Sequence, residues 1–105
     1  MSSLNTLNTL YIGAAESQPS VSSIRMVCGP YKTVNIRHSA MPATEHSAEQ
    51  TAQDACHFFS RGQDNLIILD DTSCDDQTFM SVLAAMQKVC RKYQTAVLLA
   101  SMFID

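Results

Sequence analysis

The stretch Asn65-Leu66-Ile67-Ile68-Leu69-Asp70-Asp71-Thr72-Ser73 sets four large aliphatic residues in a row against two carboxylates. A short unbroken apolar run bounded by polar residues predicts a strand buried on both faces, as in parallel sheets. Acids just past the carboxyl end of such a strand stand where open α/β sheets hold their sites. Function is therefore sought first at Asp70 and Asp71.

Outward from that strand, strands and helices alternate. Leu10-Tyr11-Ile12 begins a first strand after a flexible N-terminus, 1–9, so that 10–105 reads as a single α/β domain. Gly13-Ala14-Ala15-Glu16-Ser17 is the turn after it. Pro19 falls in the first turn of a helix whose Val21, Ile24, Val27 and Cys28 share one face, and Gly29-Pro30 stops it. Lys32 to Arg37 alternates polar and apolar residues, the pattern of a strand with one wet face at a sheet edge. Met41-Pro42 opens a second helix with Ala48, Ala52, Ala55, Cys56 and Phe59 as its stripe, closed by Gly62. Asp75 or Asp76 caps a third helix carrying Phe79, Val82, Leu83, Met86, Val89, Cys90 and Tyr93 on one side. Thr95 to Ala100 is a fourth strand, running on toward Ile104. The order βαβαβαβ implies right-handed crossovers and a mainly parallel four-stranded sheet covered on both faces, a three-layer α/β/α sandwich.

Composition narrows the function classes. At 105 residues the chain is one domain, with 46% hydrophobic residues and a mean hydropathy of -0.03, ordinary for a globular protein. The net charge is -3. Nucleic-acid backbones need clustered Lys and Arg, and here only Lys88, Arg91 and Lys92 group, in the last turn of a helix where cations complement the dipole. No partner nucleic acid is expected. No run is long and apolar enough to span a membrane, and residues 1–9 lack the basic and apolar regions of a signal peptide. A cytoplasmic location follows, with Cys28, Cys56, Cys74 and Cys90 reduced. None belongs to a CxxC pair, so no zinc site is expected. Cys28, Cys56 and Cys90 read as core filler, and Cys74 lies in the loop after the acidic pair.

Few residues offer chemistry. Gly13 stands alone after the first strand, without a GxGxxG or Walker pattern to cradle a phosphate. His57 points about 100° away from Cys56 on a helix, so the two form no dyad. His38 and His46 could meet across the loop before the second helix, but too few ligands accompany them for a metal. No histidine is placed to activate Ser17, Ser73 or Ser101. No enzyme is expected. The exception is acidic: Asp70, Asp71, Asp75 and Asp76 concentrate four of the ten acids of the chain. The plain reading is helix capping plus a solvated strand terminus; the functional reading is a phosphoacceptor or a weak cation site.

This arrangement resembles a response-regulator receiver domain, which implies a flavodoxin/CheY-like sheet. In that family the third strand ends in a phosphoaccepting aspartate, as Leu66-Ile67-Ile68-Leu69-Asp70 does. The fourth ends in a Ser or Thr that contacts the phosphoryl group, matched by Val97-Leu98-Leu99-Ala100-Ser101. By this resemblance Asp70 occupies the phosphoacceptor position, and Glu16, Asp71 and Ser101 are the switch or cation-site candidates. Ala14 and Ala15 replace the family's Mg²⁺-holding acidic pair, leaving Glu16 alone, so at most a weak Mg²⁺ site is implied and no cofactor is required. The pattern ends after the fourth strand, without the family's fifth strand, its lysine or its last helix. The chain therefore resembles a degenerate pseudo-receiver of bacterial signal transduction, a regulatory domain acting through a protein partner or self-association. Such a degenerate site predicts that Asp70→Asn changes stability and partner binding little.

A second resemblance comes from another class. Leu66 to Phe103 resembles the second half of a STAS (anti-sigma-factor-antagonist) domain, which implies a partner switch with Thr72 or Ser73 as phosphoacceptor. A third reading makes Asp70 or Asp71 the general base of a small α/β enzyme, although no second base or oxyanion donor accompanies them. Tyr31, Met41, Met102 and Phe103 are candidate exposed apolar contacts.

Overall fold

A computed structural model describes residues 5–72 and 74–103 of the chain. Four strands, β1 (Thr6–Ile12), β2 (Thr33–Ser39), β3 (Asp64–Leu69) and β4 (Thr95–Leu99), alternate with three helices, α1 (Val21–Cys28), α2 (Glu45–Phe58) and α3 (Asp76–Lys92). The sheet is parallel throughout, in the order β2-β1-β3-β4. The parallel four-stranded sandwich expected of the alternating pattern is the fold observed, consistent with the flavodoxin-like sheet that the resemblance implies.

The side chains of β1 and β3 sort to opposite faces by their period of two. Leu10, Ile12, Ile67 and Leu69 pack under α2 and α3, against Ala48, Ala52, Ala55, Val82, Met86 and Val89. Leu7, Tyr11, Leu66 and Ile68 face the other way, against Ile24 of α1 and against Ala100 and Phe103 of a 3₁₀ turn at Ala100–Phe103. Ile67, Ile68 and Leu69 are each fully buried, as a strand between two helical layers requires.

Local sequence sets the helix ends. Ser20 caps α1 by accepting from Ser23 N, so Pro19 precedes the helix instead of opening it. Gly29 ends α1 at φ 124°, a conformation that favours glycine. Thr44 and Ser47 form a reciprocal capping box, which starts α2 at Glu45, three residues after Pro42. Asp75 caps α3 by accepting from Thr78 N, as its position predicts. That bond holds the Asp75 carboxyl below its ordinary range.

Two boundaries differ from the sequence reading. β1 starts at Thr6, so residues 6–9 belong to the sheet and not to a loose N-terminus. β4 ends at Leu99 and turns at once into the 3₁₀ segment; Ile104 lies outside the described residues. Tyr31 and Phe103, expected as exposed contacts, are buried, while Met102 is exposed. Among the described residues, no helix is long and apolar enough to cross a membrane.

One polar feature lies inside the sandwich. Asn35, Asn8 and Asn65 stand side by side across β2, β1 and β3. Asn35 Nδ2 donates to Asn8 Oδ1 at 3.1 Å, and Asn8 Nδ2 donates to Gln63 Oε1 at 2.8 Å and Asn65 Oδ1 at 3.4 Å. Asn65 Nδ2 in turn donates to Ser60 O at 2.9 Å. Slipping any one strand would separate these amides, so the row pins the register at the amino end of the sheet.

Candidate functional site at the carboxyl end of the sheet

The central strands β1 and β3 end side by side, and Asp70 N donates to Ile12 O at 2.9 Å, extending their ladder by one bond. The side chain of Asp70 therefore emerges on the same face as Tyr11. It is not solvated: its relative exposure is 0%. Its Oδ1 accepts from Thr72 N at 3.0 Å and Thr72 Oγ1 at 2.6 Å. Its Oδ2 accepts from Tyr11 Oη at 3.3 Å and Ala14 N at 3.4 Å. The carboxylate is the acceptor in each of these contacts.

Gly13 makes this enclosure feasible. A Cβ built on Gly13 would stand 2.2 Å from Asp70 Cβ and 2.8 Å from Tyr11 Oη. The glycine that lacks any phosphate-loop context is thus needed for close approach of β1 to Asp70.

Tyr11 and His38 complete the cluster. Tyr11 Oη donates to Ala14 O at 2.8 Å as well as to Asp70. Burial, then the charge and hydrogen bond of Asp70, push the Tyr11 phenol up to about 12, with Ser17 opposing and Glu16 adding to the rise. A phenol so raised stays neutral and is no base near neutral pH. The His38 ring stacks on Tyr11 with centroids 5.6 Å apart. His38 Nε2 lies 2.6 Å from Gly13 O, and because a carbonyl can only accept, that nitrogen carries the hydrogen. His38 does not meet His46, which lies in the first turn of α2 on the opposite face of the sheet.

The other candidates are placed as follows. Ser101 bonds Asp71 and not Asp70: its N and Oγ donate to the two Asp71 oxygens at 3.4 and 3.1 Å. Asp71 thereby anchors the 3₁₀ turn beside the end of β4. Glu16 is exposed in a short 3₁₀ turn at Ala15–Ser17. Thr72 spends its hydroxyl on Asp70, and Ser73 lies outside the described residues. Cys74 lies within 4.0 Å of Asp70 O, and its thiol is pushed up by burial and then by Asp75, Asp70, Asp71 and Asp76. A thiol so raised is a poor nucleophile. Cys28, Cys56 and Cys90 are half-buried free thiols packed against the two cores, as expected of filler.

Chemically, the arrangement joins three loops. Asp70 ties the β1 turn through Tyr11 and Ala14 to the β3 turn through Thr72, while His38 ties the end of β2 to Gly13. Among the described residues, no group of three or more His, Cys, Asp or Glu side chains is placed to hold a metal ion. Sequence reasoning found Asp70 but missed Tyr11, Gly13 and His38, whose common signal is only that each ends or follows a strand. Two surface clefts lie along the α2–α3 groove at Glu49, Ser81 and Lys88 and between α1 and β4 at Val27, Tyr31 and Leu98. No family model, curated protein or solved structure matches the chain.

Proposed function

We propose that this chain is a non-catalytic regulatory domain that acts through protein contacts, built on a receiver-like frame whose aspartate has become a structural residue. The observation that carries this reading is the enclosure of Asp70, with both oxygens engaged by Tyr11, Ala14 and Thr72 and no exposed surface. A phosphoacceptor needs an oxygen open to in-line attack on a phosphoryl donor and a cation to neutralise the developing charge. Asp70 presents no such oxygen, and Ala14 uses its backbone N–H on the carboxylate where the resembled family carries a metal-holding acid. The three free thiols at the core margins and Cys74 fit a reducing compartment such as the cytoplasm.

The test is intact-mass spectrometry after incubation with Mg²⁺ and a small acyl phosphate donor. This reading predicts an unmodified chain. A phosphoryl adduct that disappears in Asp70→Asn would overturn it.

A further inference from the structure

We propose that α1 is a detachable cover, which lifts from the sheet as a unit and uncovers Leu7, Thr9 and Tyr11 of β1 while the rest of the fold stays intact. The inference goes beyond the interaction reading above and does not rest on it. Its first support is how little holds the helix. α1 buries only Ser23 and Ile24, whereas α2 buries Ala48, Thr51, Ala52 and Ala55, and α3 buries Val82, Ala85, Met86 and Val89. Pro19, just ahead of the cap, is the one further buried residue between Ala15 and Pro30, and Met26 and Val27 stand exposed. Eight residues are too few for a helix to persist alone, and Val, Ser, Ile and Cys are indifferent helix formers. The helix therefore depends on Ile24 docking among Leu7, Tyr11, Leu66 and Ile68.

The second support lies beneath the helix. Thr9 is fully buried on the face of β1 that it shares with Leu7 and Tyr11, between Ile36 of β2 and Leu66 of β3. Its Oγ1 has no hydrogen-bond partner among the described residues. A hydroxyl buried in this way raises the free energy of the closed state, and the cost vanishes once water reaches the face.

The ends of the segment are fixed without the helix. On one side Ala14 is held by Tyr11 Oη and by Asp70, and residues 15–18 after it are exposed. On the other, buried Tyr31 donates its hydroxyl to Asp64 Oδ2 at 2.8 Å, and Gly29 gives the chain between them its freedom to turn. Between these roots the helix can leave without disturbing Asp70. One latch restrains it: Arg25 donates from Nε to Tyr31 O at 2.8 Å and from Nη2 to Lys32 O at 3.0 Å.

Native-state amide hydrogen exchange of the 105-residue chain in sub-denaturing urea tests this, with Thr9→Val and Arg25→Ala alongside. The expected result is that the Ile24 and Met26 amides exchange roughly a hundredfold or more faster than those of Ile67 and Leu69, with a shallower urea dependence. Thr9→Val, which removes the orphaned hydroxyl, should slow exchange in α1 by roughly 5–30-fold. Arg25→Ala, which removes the latch, should speed it. Amides of α1 that exchange in step with Ile67, at the same rate and with the same urea slope, overturn the detachable helix. Exchange in α1 that Thr9→Val leaves unchanged or speeds overturns it as well, since fraying of the helix ends alone would give that result. The acyl phosphate experiment reads independently: an adduct on Asp70 removes the non-catalytic reading and leaves the release of α1 standing.

Discussion

Thr72 donates to Asp70 twice, with its backbone N–H at 3.0 Å and its hydroxyl at 2.6 Å from the same carboxylate oxygen. The residue two positions on thus folds the loop back over the end of β3. With Tyr11 and Ala14 on the second oxygen, the carboxylate is part of the internal structure of the sheet end.

Asp70→Asn therefore destabilises the fold, contrary to the expectation from sequence that it changes little. An amide NH₂ in place of Oδ2 would face the Ala14 N–H, donor against donor. The expected loss is about 1–3 kcal/mol, with a similar loss for Tyr11→Phe, which strips the bonds to Ala14 O and Asp70. Urea unfolding monitored by circular dichroism measures both. A change under about 0.5 kcal/mol, the size of an ordinary surface substitution, would mean the carboxylate is not enclosed.

Gly13→Ala should be worse tolerated than its single added methyl suggests. The new Cβ would collide with Asp70 Cβ, which the β1–β3 ladder holds in place. Overpacking of this kind costs typically about 1–3 kcal/mol. Urea unfolding measures it, and amide NMR shifts should spread to Tyr11, Asp70 and Thr72. A neutral substitution would contradict the close approach.

Alkaline pH should unfold the domain through two tyrosines. Burial and Asp64 raise Tyr31 to about 12, as burial and Asp70 raise Tyr11. The unfolded chain loses its phenolic protons near pH 10, while the folded chain keeps them to about 12. Stability is thus whole below about pH 10 and is lost as pH rises from there toward 12, by up to roughly 3 kcal/mol per tyrosine. Urea midpoints followed across that range should fall, and Tyr11→Phe should remove about half of the fall. A flat profile would contradict the burial of both phenols.

Asn8→Ala should destabilise by about 1–3 kcal/mol, since it leaves the buried Asn65 amide and Gln63 short of a partner. Asn35→Ala, at the exposed end of the same row, should change stability by no more than about 0.5 kcal/mol. Equal effects would mean that the row does not act as a buried register pin.

The parts of the fold legible in the sequence are those where periodicity and burial agree. The aliphatic run of β3 and the stripe of α3 from Phe79 to Tyr93 appear where the pattern puts them, and Asp75 caps as its spacing implies. The start of β1 was hidden because Asn8 and Thr9 are polar yet buried, Asn8 within the amide row. The candidate site was half legible. Asp70 stands out at the end of its strand, but its partners Tyr11 and Ala14 lie 59 and 56 positions away, and only the strand order brings them together. Ser101, which by resemblance would contact a phosphoryl group on Asp70, bonds the neighbouring Asp71.

The most direct test of a structural Asp70 is an amide NMR titration with Mg²⁺ followed by beryllofluoride, a mimic of the phosphoryl group. The enclosed carboxylate predicts no saturable shifts at Gly13, Ala14, Asp70, Asp71 or Ser101. Saturable shifts centred on those residues would show an acceptor pocket that opens in solution, and the non-catalytic reading would fall.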